Sequence, residues 1–265
     1  MTRKSISLGI AALALLAAIS VALAQSPSGA YREPAGKGMA AIQRAAAADK
    51  YLFVFFWREK SQQADAMWNA LQPAMSKVAD RAESVAINVS DPAEKTMVAK
   101  FGLDRSPLPL VLALAPNGAI TKGFPLKFDE KQLPQAFVSP ATARCLKALQ
   151  GRKLVLLCAQ SRSPYVRQAS LQQGVADFVA DARFAGATEV VAVDPADPAE
   201  ASFLQDLQVD PRTAGQTTVF LAPPGSVVAK FSGPVTKEQL VAKLQEAQSN
   251  PCAGGKCGPG GCGPK

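Results

Sequence analysis

Tyr51-Leu52-Phe53-Val54-Phe55-Phe56-Trp57-Arg58-Glu59-Lys60-Ser61-Gln62-Gln63-Ala64 is an apolar run that stops at a polar loop and leads into a helical pattern. Seven residues from Tyr51 to Trp57 without polar alternation leave no face for water, which predicts a central strand of a sheet covered on both sides. Before it, Met39 to Ala48 reads as a short amphipathic helix. After it, Gln63 to Arg81 has helical periodicity, with Met67, Leu71, Met75 and Val78 on one face and a kink expected at Pro73.

The pattern continues with a strand over Ser84 to Val89, a helix over Ala93 to Phe101 and a strand over Pro109 to Leu114. Ala115-Pro116-Asn117-Gly118 then turns the chain into a strand over Ala119 to Gly123, because Asn-Gly readily adopts the positive φ of a tight hairpin. Asp129 with Gln132 three residues on forms a capping-box pattern that predicts a last helix to Phe137.

The same order recurs. Asp91-Pro92-Ala93-Glu94 returns as Asp197-Pro198-Ala199-Glu200, Ala115-Pro116-Asn117-Gly118 as Ala222-Pro223-Pro224-Gly225, and Lys131-Gln132-Leu133 as Glu238-Gln239-Leu240, at offsets of 106 or 107. Matches in one order at one offset indicate a duplication. In the second copy Ser139 and Pro140 predict a helix through Gln150 that Gly151 ends. Leu154 to Cys158 is matched to Phe53 to Trp57 at an offset of 101, and Ser163-Pro164 is expected to start the long helix. Glu189 to Val193, Thr217 to Leu221 and Val227 to Phe231 read as strands, and Thr236 with Gln239 repeats the capping box.

Phe56, Trp57 and Glu59, followed by Ser61 and Ala64, resemble the catalytic corner of thioredoxins, Phe-Trp-x-Glu-Trp-Cys-x-x-Cys, with both cysteine positions replaced. The resemblance to the thioredoxin-like superfamily covers about Gly38 to Gln248. It implies an α/β fold of two tandem thioredoxin-like domains, over 38–138 and 139–248, each a mixed central sheet flanked by helices. Dithiol chemistry requires a thiolate at the helix N-terminus and a resolving thiol three residues on. Ser61 and Ala64 supply neither, and the second copy places Arg162 and Tyr165 at the matching positions. The resemblance also implies a cis-proline beside the site: Leu108-Pro109 falls there in the first copy, whereas the second has Gln216. Pro109 is then either part of a groove that pairs with an extended peptide or a relic shaping the turn. Trp57 is similarly open between groove and core.

The chain has 265 residues, 48% hydrophobic and 19% charged, enough for two cores, and a formal charge of +8. Setting aside Arg3 and Lys4 leaves 27 basic against 21 acidic residues. No basic run interleaves with aromatics, which excludes a nucleic-acid reading. Residues 1–24 read as a secretory signal, with Arg3 and Lys4 at the start, an apolar stretch, and Ala22-Leu23-Ala24 before Gln25 as the cleavage site. Export to the periplasm or the extracellular space is expected, with no membrane span after cleavage. Residues 25–37 read as a flexible lead-in and 249–265 as a Gly/Pro/Cys-rich flexible tail.

Of five cysteines, Cys145 and Cys158 lie within the repeats. Cys145 is expected ~6 Å back along its helix and Cys158 ~16 Å along its strand, too far apart for a bridge. Both read as buried small hydrophobes. Cys252, Cys257 and Cys262 repeat at Cys-x4-Cys-x4-Cys in the tail. Three readings stay open there: disulfides within the tail or to another chain, a trigonal Cu(I) site, or no specific role. The absence of histidine excludes His-supported zinc sites and every Ser-His or Cys-His nucleophile. Resemblance to the inactive domains of disulfide isomerases implies a non-catalytic protein that binds a protein or peptide partner. The alternatives are a thiol- or copper-handling protein acting through the tail, and an oxidoreductase working through Cys158 or Cys145.

Overall fold

The computed structural model describes residues 36–160, 172–210 and 216–249. The expected signal, nearly all of the lead-in, Arg162, Ser163, Pro164, Tyr165 and the three tail cysteines lie outside the described residues. The first half runs α1 (Lys37–Ala47), β1 (Tyr51–Trp57), α2 (Gln62–Ser76), β2 (Ala82–Asn88), α3 (Lys95–Phe101), β3 (Leu110–Leu114) and β4 (Ile120–Pro125). The second runs α4 (Pro140–Gln150), β5 (Leu154–Ala159), α5 (Gln173–Ala180), β6 (Thr188–Val193), α6 (Ala201–Asp206), β7 (Thr217–Ala222), β8 (Ser226–Ser232) and α7 (Lys237–Ser249).

Each half carries one four-stranded sheet, ordered β2-β1-β3-β4 and β6-β5-β7-β8. In both, the first strand pairs parallel with the second and antiparallel with the third, which pairs antiparallel with the fourth. With helices on both faces, this is the thioredoxin-like arrangement twice over. The apolar run explains it. Leu52, Val54 and Phe56 pack under α1 and α3 with Ala41, Ala45 and Met97, while Phe53 and Phe55 pack under α2 with Met67, Leu71 and Met75. Alternate side chains of β1 thus fill two separate cores, and each fully buried aromatic side chain contributes roughly 1.5–3 kcal/mol.

The repeated Asp-Pro-Ala-Glu has a structural reason. Asp91 and Asp197 each accept the N–H two residues on, and the proline opens a single 3-10 turn. The turn then aims the glutamate inward. Glu94, 3% exposed, accepts the Gly38 N–H with both carboxyl oxygens at 3.1 Å, at the first turn of α1. Glu200, 5% exposed, accepts the Ser139 hydroxyl at 2.5 Å and the Ala141 N–H at 3.3 Å at the start of α4. Helix N-terminal N–H groups lack intrahelical partners, and a carboxyl group satisfies both their bonding and the helix dipole. Gly38 is small because a Cβ there would lie 1.9 Å from Met97 Sδ.

The halves join through the β3–β4 hairpin and α4. Asn117 donates from Nδ2 to the Ala143 carbonyl at 2.8 Å, and Gln150 both donates to the Ile120 carbonyl and accepts its N–H. The Tyr51 hydroxyl donates to the Val138 carbonyl and accepts the Val138 N–H.

Three expectations require correction. First, α2 stops at Ser76, not Arg81: Lys77 and Val78 bond three residues back, and the chain spends the rest on returning to pair Ala82 with Tyr51. Second, Glu130 to Ala136 is 3-10 rather than α, because Pro134 has no N–H to bond the Glu130 carbonyl. Asp129 accepts from Lys131 N–H there, whereas the box at Thr236 and Gln239 is reciprocal as expected. Gly151 ends α4 as expected, at φ −78°, and is followed by Arg152 at φ 59°. Third, the pairing register sets β1 against β5 at an offset of 103, not 101. Cys158 therefore occupies the position of Phe55 rather than Trp57.

Glu200→Ala is expected to destabilise the protein by about 1–3 kcal/mol, since it leaves the buried Ala141 N–H without its acceptor and takes one partner from the Ser139 hydroxyl. Glu94→Ala is expected to do the same at α1. Urea unfolding followed by circular dichroism reads both as a lowered midpoint.

Candidate functional site

The corner at the end of β1 gathers the residues singled out in the first half. Trp57, half-buried, ends the strand; Arg58, Glu59 and Lys60 form an exposed loop; and α2 begins at Gln62. Ser61 is the N-cap of α2. Its Oγ accepts the Ala64 N–H at 3.2 Å, and its carbonyl accepts the Asp65 N–H at 3.0 Å. The three-residue spacing that would hold two thiols together instead holds a helix cap. Ala64 is 5% exposed and bears no reactive atom.

Across from this cap, Leu108-Pro109 is a cis peptide. The Pro109 carbonyl accepts the Leu126 N–H at 2.7 Å, and Gln63 donates from Nε2 to the Leu126 carbonyl at 3.1 Å. Leu126 is thereby fixed at φ 63° with its side chain 43% exposed. Between cap and cis-proline lies an open groove of about 370 Å³, lined by Trp57, Arg58, Glu59, Ser61, Leu108 and Pro109 among others. Among the described residues the Leu108 N–H and carbonyl have no hydrogen-bond partner. Trp57 and Pro109 thus meet at one groove.

In the second half the Gln216 carbonyl accepts the Gly233 N–H at 2.7 Å, as Pro109 does for Leu126. Gln216 therefore stands where expected. Beside it lies a bonded polar pair. Gln172 donates from Nε2 to Thr218 Oγ1 at 3.1 Å and accepts the Val235 N–H at 2.7 Å. Thr218 is fully buried, with Cys158 in the same layer of β5 and β7. Sequence reading missed Gln172 and Thr218; the polar pair Thr217-Thr218 opening an apolar strand was the available signal. Arg162 and Tyr165 lie outside the described residues.

Cys145 and Cys158 are free and buried. They sit on opposite faces of their sheet, Cys145 in the core under α4 and Cys158 in the core under α5 and α7. Burial pushes the Cys145 thiol up to about 12, and burial pushes Cys158 up to about 11 against a lowering hydrogen bond with Thr218. Among the described residues, no three His, Cys, Asp or Glu side chains group as a metal site, and no helix is long and apolar enough to cross a membrane.

Strand order and the two-sided cover define the class: two tandem thioredoxin-like domains, the first with an open corner that carries no thiol. No protein-family model and no curated protein matches the sequence. Among solved structures, a disulphide isomerase from Xylella fastidiosa Temecula1 is similar at 16% identity, covering 37% of this chain and 77% of its own, with a TM-score of 0.29. Human ERp44 form I is similar at 10% identity over 84% of this chain and 57% of its own, with a TM-score of 0.35. The first two thioredoxin domains of Saccharomyces cerevisiae Eps1p are similar at 10% identity over 83% and 99%, with a TM-score of 0.28.

Both core thiols have raised values, so at pH 8 they stay protonated and covered. Peptide mapping after iodoacetamide treatment of the folded protein is expected to find Cys145 and Cys158 unmodified, and modified after denaturation. The same shifts favour the folded state below the ordinary thiol value and lose that advantage as pH rises from about 9 towards 11 and 12. Stability against urea should fall over that window, and less so in Cys145→Ala.

Proposed function

We propose that the chain is an exported, non-catalytic binding protein that holds an extended protein or peptide segment in the groove between Trp57 and Pro109. One observation carries the reading: Leu108, whose backbone groups have no partner among the described residues, lines an open groove, while the positions that would carry thiols hold a helix cap and a methyl group. An extended segment pairing with Leu108 would satisfy both groups, and Trp57 and the exposed Leu126 would flank its side chains. The second domain, whose corresponding interior holds the bonded pair Gln172 and Thr218, serves in this reading as a scaffold fixed to the first through Tyr51, Asn117 and Gln150.

A second reading is favoured by the burial of both core thiols. If the protein handles thiols, disulfides or Cu(I), that chemistry falls to Cys252, Cys257 and Cys262, as disulfides to another chain or as a copper site.

Binding of a reduced, carboxymethylated unfolded protein, measured by calorimetry, separates the two. The binding reading expects measurable association that weakens several-fold in Trp57→Ala and is unchanged when the three tail cysteines become serine. Loss of association in the triple serine variant would transfer the function to the tail. Insulin reduction by the unaltered protein would overturn the non-catalytic reading. The double variant Ser61→Cys, Ala64→Cys is expected to gain such activity while losing about 1 kcal/mol of helix capping at Ser61.

A further inference from the structure

On the other side of Trp57 from the groove lies a second cavity, of about 200 Å³. Phe55, Trp57 and Trp68 form its walls, the Phe55 and Trp68 rings standing 5.3 Å apart and tilted by 34°. The slot exists because its other neighbours are small. Ala64 on α2 and Ala86 on β2, directly across from Phe55 in the ladder, leave the space a larger side chain would fill. Ala64 also lines the groove beside Pro109, so the two spaces adjoin across Trp57 and Ala64. At the mouth stand Lys60 and Asp65, both exposed, and neither makes an ion pair or side-chain hydrogen bond among the described residues.

We infer that this slot is an anchor pocket for an aromatic side chain of the bound segment, flanked in that segment by one acidic and one basic residue. The inference rests on the peptide reading of the groove and names the class of peptide. Three aromatic walls match an aromatic ring, which gains from edge and offset contacts beyond its buried area. The mouth offers one cation and one anion, so the complementary segment carries an acidic residue towards Lys60 and a basic one towards Asp65. Such rim charges set preference and register more than affinity. Affinity comes from the ring in the slot.

Titration calorimetry on the full chain tests this with blocked pentapeptides that place phenylalanine between lysine and glutamate, in both orders, and with the same peptides carrying central alanine. One of the two phenylalanine peptides is expected to bind about tenfold or more tighter than its alanine counterpart. Ala86→Met, which fills the slot, is expected to abolish that advantage and leave the alanine peptides' binding unchanged. Lys60→Glu alters an exposed side chain only and is expected to weaken the preferred peptide several-fold. Equal binding of phenylalanine and alanine peptides, or an advantage unmoved by both variants, would overturn the anchor pocket and leave the groove standing. Failure of every peptide to bind would defeat the groove reading and the slot with it.

Discussion

Each domain depends on one strand that has no face to give to solvent. In β1 the peptide groups from Leu52 to Phe56 pair with β2 on one side and β3 on the other, and the side chains alternate into two buried cores. Almost every other element follows from that constraint. Helices must cover both faces; β2 must run parallel, so a crossover helix of α2's length is required; β3 must return antiparallel from the far edge. The strand stays strictly buried until Trp57, where the chain first meets solvent, and the corner that follows is the place where residues are free to serve something other than packing.

The two domains obey this constraint with different margins. The first fills its central strand with aromatic side chains, the second with Val155, Leu156, Leu157 and Cys158. At the position of Phe55 the second domain has only a thiol, and the volume is taken up by Phe178, Phe220 and the polar pair Gln172 and Thr218. Duplication has preserved what closes each domain, the inward glutamate on its 3-10 turn, while the corner has diverged.

Much of this was legible in the sequence wherever a local rule and the tertiary need agree. The run from Tyr51 to Trp57, the cap at Ser139 with Pro140 and the reciprocal box at Thr236 and Gln239 all follow from residue chemistry within a few positions. The misreadings arise where distant demands overrule local ones. The end of α2 is set by the register of β2, and the 3-10 segment before Phe137 by Pro134. The offset between β1 and β5 was hidden because sequence matching aligned strand ends, whereas hydrogen-bonded partners align strand starts. Asp-Pro-Ala-Glu was visible as a repeat, but nothing local shows that its glutamate reaches the amino end of a helix more than fifty residues away. Of the candidate site, Trp57, Ser61, Ala64 and Pro109 were legible through a motif; Leu126, Trp68 and Ala86 were not, since only the folded sheet brings them beside it.

Replacement of the second thiol position by Ala64 has two consequences that belong together. A methyl group cannot resolve a mixed disulfide, and it also cannot fill the volume between Trp57 and Trp68. Where the thioredoxin resemblance would set the first thiol, the Ser61 hydroxyl caps the helix start. Ser61 thus caps α2 at this corner, Ala64 leaves space beside Trp57, and the Leu108 backbone groups have no partner among the described residues. On the proposed reading, the corner offers an extended segment these unpaired groups and this space in place of a thiolate.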